Sequence, residues 1–379
     1  MVAGSIDKIL IHIVFPFITL AGLYVVSNLM INSGHAQLFV DSRALAVPLL
    51  PDGETLLRTF YTGVPALDSY LANLQFSIFP TVDGSSPALS LLGWHWMGLL
   101  LAVFTAMLVE SLRSRRTRDL VLFALWGLAI QYAGYFIIMP LYCYVHLLSR
   151  PATSNAKMVP TSAAIQAVPV SVLVGLVFPS VAMCLSNRFH SSQSRQVAVA
   201  VWQNFPAWMA VIQILATKWI ETGSGQQQEE PEMKDKRLNS SRSARRRVYK
   251  VVATASALIH ILGLVPIVLA ATGWPEDSAS SQPSHIRPGT FFLPPRWDRK
   301  MQINGMADGA FNFLRYDYYV GNVAALAWVM FLQFPALVNW NAGSTGRLVF
   351  RDIACIFVLG PGFTIVNLMD RRDGRVTST

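Results

Sequence analysis

The chain has 379 residues, 53% of them hydrophobic and 13% charged, whereas ordinary soluble domains carry roughly 25% charge; too few charges remain to coat a water-facing globule. Lys and Arg number 30 against 21 Asp and Glu, a net charge of +9, and in so apolar a chain that excess belongs to loops beside membrane helices, not to a nucleic-acid-binding face. Cys143, Cys184 and Cys355 stand far apart, each in an apolar run, which excludes a disulfide framework and a CxxC-type zinc site.

A helix crossing a hydrocarbon core needs about 20 apolar residues, and about eight such stretches predict an all-α, polytopic membrane bundle, a single transmembrane domain over 1–379. Ile9–Ile31 comes first; it is too long for a cleaved signal, lacks a small-residue cleavage site, and reads as a retained signal anchor. In Thr55–Pro80, Leu67, Tyr70, Leu71, Leu74 and Ile78 recur at helical spacing while Asp68, Ala72 and Gln75 share another face, which predicts an amphipathic helix at the interface or capping the bundle. Ala88–Leu112, Leu120–Leu148, Val159–Leu185 and Val197–Ile220 follow as spans. Gly223–Arg247 is polar and low in complexity, as expected of a disordered loop. After the span Val248–Thr272, the stretch Gly273–Gly309 is rich in Pro and aromatics and is expected to fold over the bundle as a lid; Tyr318–Val338 and Leu348–Met369 complete the set. Arg113, Arg115, Arg116 and Arg118 place their loop in the cytosol, and alternation brings the N-terminus and Arg371, Arg372 and Arg375 to the same side. The same count puts the basic Gly223–Arg247 stretch outside, against the rule. No internal repeat supports an inverted-repeat transporter.

Ionisable groups near membrane depth are costly and mark candidate sites. Asp317, in FLRYDYYVGN, shares a helix face with Gly321, Ala324 and Trp328: an acid, small residues that leave room, then an aromatic wall. The competing explanation pairs Asp317 with Arg315 in an interfacial belt with Tyr316, Tyr318 and Tyr319. Gln131, Tyr135, Tyr142 and His146 line one side of the third stretch, read as one helix, and face either a cavity or neighbouring helices. Glu110 lies near Arg113, where a surface ion pair competes with a catalytic role. His95, Trp96 and His260 read as packing residues.

Absences narrow the chemistry. No two aspartates are adjacent, so the DDxxD pattern is missing, as are DxDD and the NDxxDxxxD of membrane prenyltransferases; metal-assisted loss of diphosphate is disfavoured. HExxH, GxSxG, GxxxxGK[ST] and CxxCH are also absent, and the histidines lack the spacing of a membrane di-iron desaturase. A reaction needing only acid and shape survives this filter: cationic cyclisation of a polyprenyl chain, started by a carboxylic acid that protonates a terminal epoxide or olefin. A dry, aromatic pocket keeps an acid protonated and stabilises the travelling cation.

The pieces GVPALD (Gly63–Asp68), IFPTVDGSSPAL (Ile78–Leu89), LVESLR (Leu108–Arg113), MPLY (Met139–Tyr142) and RYDYYVG (Arg315–Gly321), in this order, resemble fungal integral-membrane terpene cyclases of meroterpenoid biosynthesis, of the ascofuranone and macrophorin kind. The resemblance implies a metal-free, cofactor-free cyclase of a farnesylated aromatic substrate and points to Asp68, Glu110 and Asp317 as its acids. The first loop and Gly223–Arg247 depart from the pattern.

Together these readings predict a terpene cyclase in the endoplasmic reticulum membrane, with Asp317 as general acid and Asp68 or Glu110 as the alternative or orienting acid. Tyr135, Tyr142 and Trp328 would line the cavity, with Gln131 and His146 holding hydrogen bonds in it. Its expected partners are a lipophilic prenylated substrate, membrane lipid, and a pathway prenyltransferase and monooxygenase. The rival readings are an exporter of a lipophilic metabolite and a scaffolding protein that uses the basic loop.

Overall fold

A computed structural model describes residues 2–44, 47–149, 160–185, 191–223, 231–272, 286–301, 303–337 and 342–376. Among them the architecture is helical, apart from one isolated bridge between Leu49 and Leu56. The helices are α1 (Val2–Asn32), α2 (His35–Ala44), α3 (Pro65–Ile78), α4 (Pro87–Ser111), α5 (Thr117–Ala133), α6 (Tyr135–Leu148), α7 (Ser162–Val172), α8 (Phe178–Cys184), α9 (Ser192–Trp202), α10 (Phe205–Gly223), α11 (Pro231–Ala271), α12 (Pro288–Phe292), α13 (Met306–Leu337), α14 (Ala342–Val358) and α15 (Gly360–Val376).

α4 is the axis of the bundle. Every residue from Leu99 to Glu110 is buried, and the helix shows no polar stripe because it is enclosed on all sides. α11, α13 and α15 pack against it, α13 also packs on α1 and α6, and α10 packs on α5 and α7. A π-helical turn, Leu173–Val177, joins α7 to α8 in one continuous rod.

Among the described residues four helical segments are long and apolar enough to cross a membrane, Lys8–Asn32, Pro87–Ser114, Ser162–Cys184 and Leu238–Ala271, and the pair α9–α10, bent by 62°, makes a fifth if counted as one. These residues thus show four or five candidate spans in place of the expected eight. Leu120–Leu148 breaks at Gly134 (φ +98°), and the rings of Trp126 and Tyr142 lie 5.9 Å apart, whereas a continuous helix would hold their backbones about 24 Å apart. The stretch is a helical hairpin that folds back on itself. Leu348–Met369 breaks likewise at Gly360 (φ +89°), and Arg371 of α15 reaches back to Asp352 of α14 at 2.9 Å. Glycine permits both corners because an L side chain is strained at positive φ. The seventh stretch belongs to α13, which starts earlier than expected, at Met306, and carries Asp308, Asn312, Arg315 and Asp317 in its first half.

Arg113, Arg245 and Arg372 converge on Asp373, so the basic residues that follow α4, begin α11 and end α15 lie together at one end of the bundle.

Two loop expectations also change. Residues 231–247, expected within a disordered loop, are the first turns of α11: Arg, Lys, Glu and Met are good helix formers, and Ala244, Arg245 and Val248 are buried. Residues 224–230 lie outside the described residues, as do 273–285 of the expected lid. The remainder of that lid is pinned to the bundle. The Arg315 guanidinium donates to the carbonyls of Phe291 and Leu293, each at 3.1 Å, Tyr319 Oη donates to Phe292 O at 2.7 Å, and Asn32 Nδ2 donates to Trp297 O at 2.8 Å.

Candidate active site

The tip of the α5–α6 hairpin opens onto a cavity of about 530 Å³ whose walls come from α3, α4, α8, α9 and α13. Among the described residues lining it, Asp317 is the one charged side chain. The residue is 6% exposed, and its Oδ1 accepts the Phe136 N–H at 2.7 Å. Phe136 is in the first turn of α6, so Asp317 caps from a distant helix an N-terminus that has no side-chain cap of its own. Helix N-termini favour negative charge through free amides and the helix dipole. Asp317 makes no ion pair among the described residues. Arg315, its expected partner in the competing explanation, turns instead to Asn312 and the carbonyls of Thr290, Phe291 and Leu293.

Aromatic rings surround the acid. Trp96 meets Tyr135 and Tyr318 edge-on at 5.4 Å, Tyr70 stacks on Tyr132 at 5.0 Å, and Trp94 and Trp202 complete the wall. The carbonyl end of α5 is closed by side chains from elsewhere: Tyr70 Oη donates to Tyr132 O at 2.8 Å and Gln203 Nε2 donates to Gln131 O; α5's own Tyr132 Oη donates to Asn204 Oδ1 at 3.0 Å. Two helix breaks, α5–α6 and α9–α10, thus meet at the cavity. Interrupted helices in an apolar interior persist only where such partners take up the freed backbone groups.

Of the residues singled out in the sequence, Asp317, Gln131 and Tyr135 meet at this cavity, and Trp96, read there as a packing residue, also lines it. The room left by Gly321 is filled by Tyr135, whose ring lies where a Cβ at 321 would stand, 1.9 Å away. Tyr142, His146 and Trp328 form a separate cluster further along α6, with Trp328 Nε1 donating to His146 Nδ1 at 3.1 Å. His146 Nε2 stands 4.0 Å from Glu110. Glu110 belongs to a buried ionic cluster: it pairs with Arg113 at 2.6 Å and with Arg372, and Asp373 bonds Arg113, Arg245 and Arg372. This cluster ties α4, α11 and α15 together.

Asp68 lies elsewhere, at the start of α3, where it orders the preceding loop by accepting from Thr62 N–H and Oγ1, both at 2.7 Å, and from Gly63 N–H at 3.0 Å. Burial pushes its carboxyl up, and the hydrogen bonds from Thr62, Gly63 and Tyr61 outweigh this and hold it below the ordinary carboxylate value. Asp68, Ala72 and Gln75 on the polar face of α3 are buried, and Tyr70, Leu74 and Ile78 of its apolar face line the cavity, so that α3 caps the bundle, one of its two expected placements.

The sequence reading missed Tyr70, Trp94, Tyr132, Trp202 and Gln203. Gly134, beside Gln131 and Tyr135 in QYAGY, is the one local signal of a corner that would have pointed to Tyr132 and, across from it, to Gln203.

The CtvD domain matches residues 11–377. The chain belongs to the CtvD-domain family. Across 370 residues, 95% of the chain and 96% of its relative, it is 26% identical to the terpene cyclase atmA of Aspergillus flavus. It is 27% identical over 363 residues to the terpene cyclase ascI of Acremonium egyptiacum, covering 93% of the chain and 88% of the relative. With the terpene cyclase ctvD of Aspergillus terreus it shares 28% identity over 313 residues, 78% of the chain and 80% of the relative. No solved structure matches. As a member of this family of full-length relatives, the chain is an enzyme of the terpene cyclase type.

Proposed function

We propose that the protein is a protonation-initiated cyclase of a membrane-dissolved, farnesylated aromatic substrate, and that Asp317 is its proton donor. One observation carries this reading: among the described residues lining the cavity Asp317 is the single charged group, set in a wall that is mostly aromatic and apolar with neutral polar groups such as Gln131 and Gln203. Such a wall suits a neutral, greasy chain, and the described residues lining it offer a diphosphate no cation. The volume of about 530 Å³ lies in the range of small-molecule sites.

In the proposed step the Asp317 carboxylic acid gives its proton to the terminal epoxide oxygen or olefin. With an epoxide, the C–O bond at the tertiary carbon breaks, and the electron pair of the next double bond forms the first ring bond. Cation character then moves along the chain past the rings of Tyr70, Trp96, Tyr132 and Trp202, where π faces lower its energy. Loss of a proton, or capture by a substrate oxygen, ends the cascade. The Phe136 amide and the α6 N-terminus stabilise the carboxylate that donation leaves behind, and proton uptake from water restores the acid.

The apolar helices support a setting in a membrane, which we place in the endoplasmic reticulum with the prenyltransferase and epoxidising monooxygenase that make such substrates. Asp317→Asn retains an acceptor for Phe136 N–H and lacks the proton. With a farnesylated phenol epoxide in membranes, it is expected to cyclise about 10²- to 10⁴-fold more slowly, measured by chromatographic mass spectrometry of the product. Cyclisation at the wild-type rate removes Asp317 from the role.

A further inference from the structure

We propose that Tyr70 and Gln203 are positioning residues for the proton donor, acting by holding the tip of the α5–α6 hairpin so that the first amide of α6 meets Asp317. The inference rests on the assignment of Asp317 as that donor.

A broken helix leaves carbonyls without amide partners. At the end of α5, Ile130 O is taken by Gly134 N–H at 3.1 Å, closing the last turn. Gln131 O and Tyr132 O have no such amide, because Gly134 turns the chain away. Both are taken by side chains from other elements. Tyr70, on α3, donates to Tyr132 O at 2.8 Å and stands 3.4 Å from Gln131 O, while Gln203, between α9 and α10, donates to Gln131 O. The Tyr70 ring also stacks on Tyr132 at an interplanar angle of 26°. The corner is therefore gripped on its carbonyl side by Tyr70 and Gln203 and on its amide side by Asp317, through Phe136 N–H at 2.7 Å. A Cβ at residue 134 would lie 2.8 Å from the Phe136 ring and 3.8 Å from Asp317 Oδ1, so the corner and the acid are in near contact.

A tip held this way cannot rotate without breaking a hydrogen bond on one side or the other. Loss of either carbonyl grip frees the tip, moves the Phe136 amide, and lets the Asp317 carboxyl leave the orientation from which it reaches the substrate. The cavity wall contributed by the two side chains is largely retained in conservative variants, so substrate binding is affected less than proton delivery.

The test compares Tyr70→Phe, which keeps the ring stack and removes the hydroxyl, and Gln203→Met, which keeps the side-chain length and removes the donor, with the wild type and Asp317→Asn, using the full chain in membranes and a farnesylated phenol epoxide. We expect kcat to fall about 10- to 100-fold in each variant, with KM unchanged and an increased solvent deuterium isotope effect on kcat as proton transfer becomes rate-limiting. Melting temperature is followed in parallel. Wild-type kcat and isotope effect for both variants beside a crippled Asp317→Asn overturn this inference and leave the proposed function standing. A rise in KM alone, or a lower melting temperature with unchanged kcat for the folded enzyme, also overturns it. Full activity of Asp317→Asn overturns both.

Discussion

At the scale of single residues, Gly134 and His35 make opposite demands on their surroundings. Gly134 adopts φ +98°, ψ +143°, a region kept for glycine, so Gly134→Ala is expected to cost about 1–3 kcal/mol, read as a lower melting temperature in detergent, and to reduce cyclisation by disturbing Phe136. His35, outside the spans in α2, is buried with neither ring nitrogen bonded, and burial pushes it down to about 4 from 6.5. It stays neutral in the folded protein while the unfolded chain takes up a proton below pH 6.5, so the unfolded state binds more protons and stability declines as pH falls from 6.5 toward 4. The linked loss is about 3 kcal/mol. His35→Phe should flatten that part of the melting-temperature profile; an unchanged acid slope would assign it to other groups. Asp317 was legible in the sequence because a carboxylate beside a long apolar run is conspicuous, whereas Tyr70 and Gln203 were not, because a side chain that bonds a distant carbonyl leaves no local pattern.

At the scale of elements, the two hairpins and the ionic cluster decide what apolar length alone could not. A run such as Leu120–Leu148 satisfies the length rule for a span, yet one glycine corner turns it into two short helices with Trp126 against Tyr142. The returning α6 brings His146 to Glu110, and Glu110, Arg113, Arg372 and Asp373 then bind α4 to α15 with almost no solvent contact. With three arginines against two carboxylates, removing a carboxylate leaves buried positive charge uncompensated, whereas removing Arg372 strips charged hydrogen bonds from Glu110 and Asp373. Arg372→Gln is therefore expected to destabilise the fold by about 1–3 kcal/mol, measured by thermal unfolding in detergent. Glu110→Gln should show at least as large a loss while the folded fraction keeps its kcat; a kcat loss of the size expected for Asp317→Asn, at unchanged stability, would return Glu110 to the chemistry.

At the scale of the whole molecule, the cavity exists only because α3, α4, the α5–α6 tip, α9 and α13 meet. Trp96→Leu removes a ring from that wall, and losing about 2 kcal/mol of cation–π stabilisation corresponds to roughly 30-fold in kcat; chromatography should also reveal partly cyclised products from early quenching of the cation. By itself, the sequence determined the helical, apolar character of the protein and made the acid in RYDYYVG conspicuous, because these follow from composition and from one charge beside an apolar run. Tertiary structure alone decided which apolar runs fold back, which acid is locked among arginines and which faces a cavity. Those outcomes depend on contacts between residues far apart in the chain, such as Tyr70 with Tyr132 or Phe136 with Asp317, and neither periodicity nor hydropathy records them.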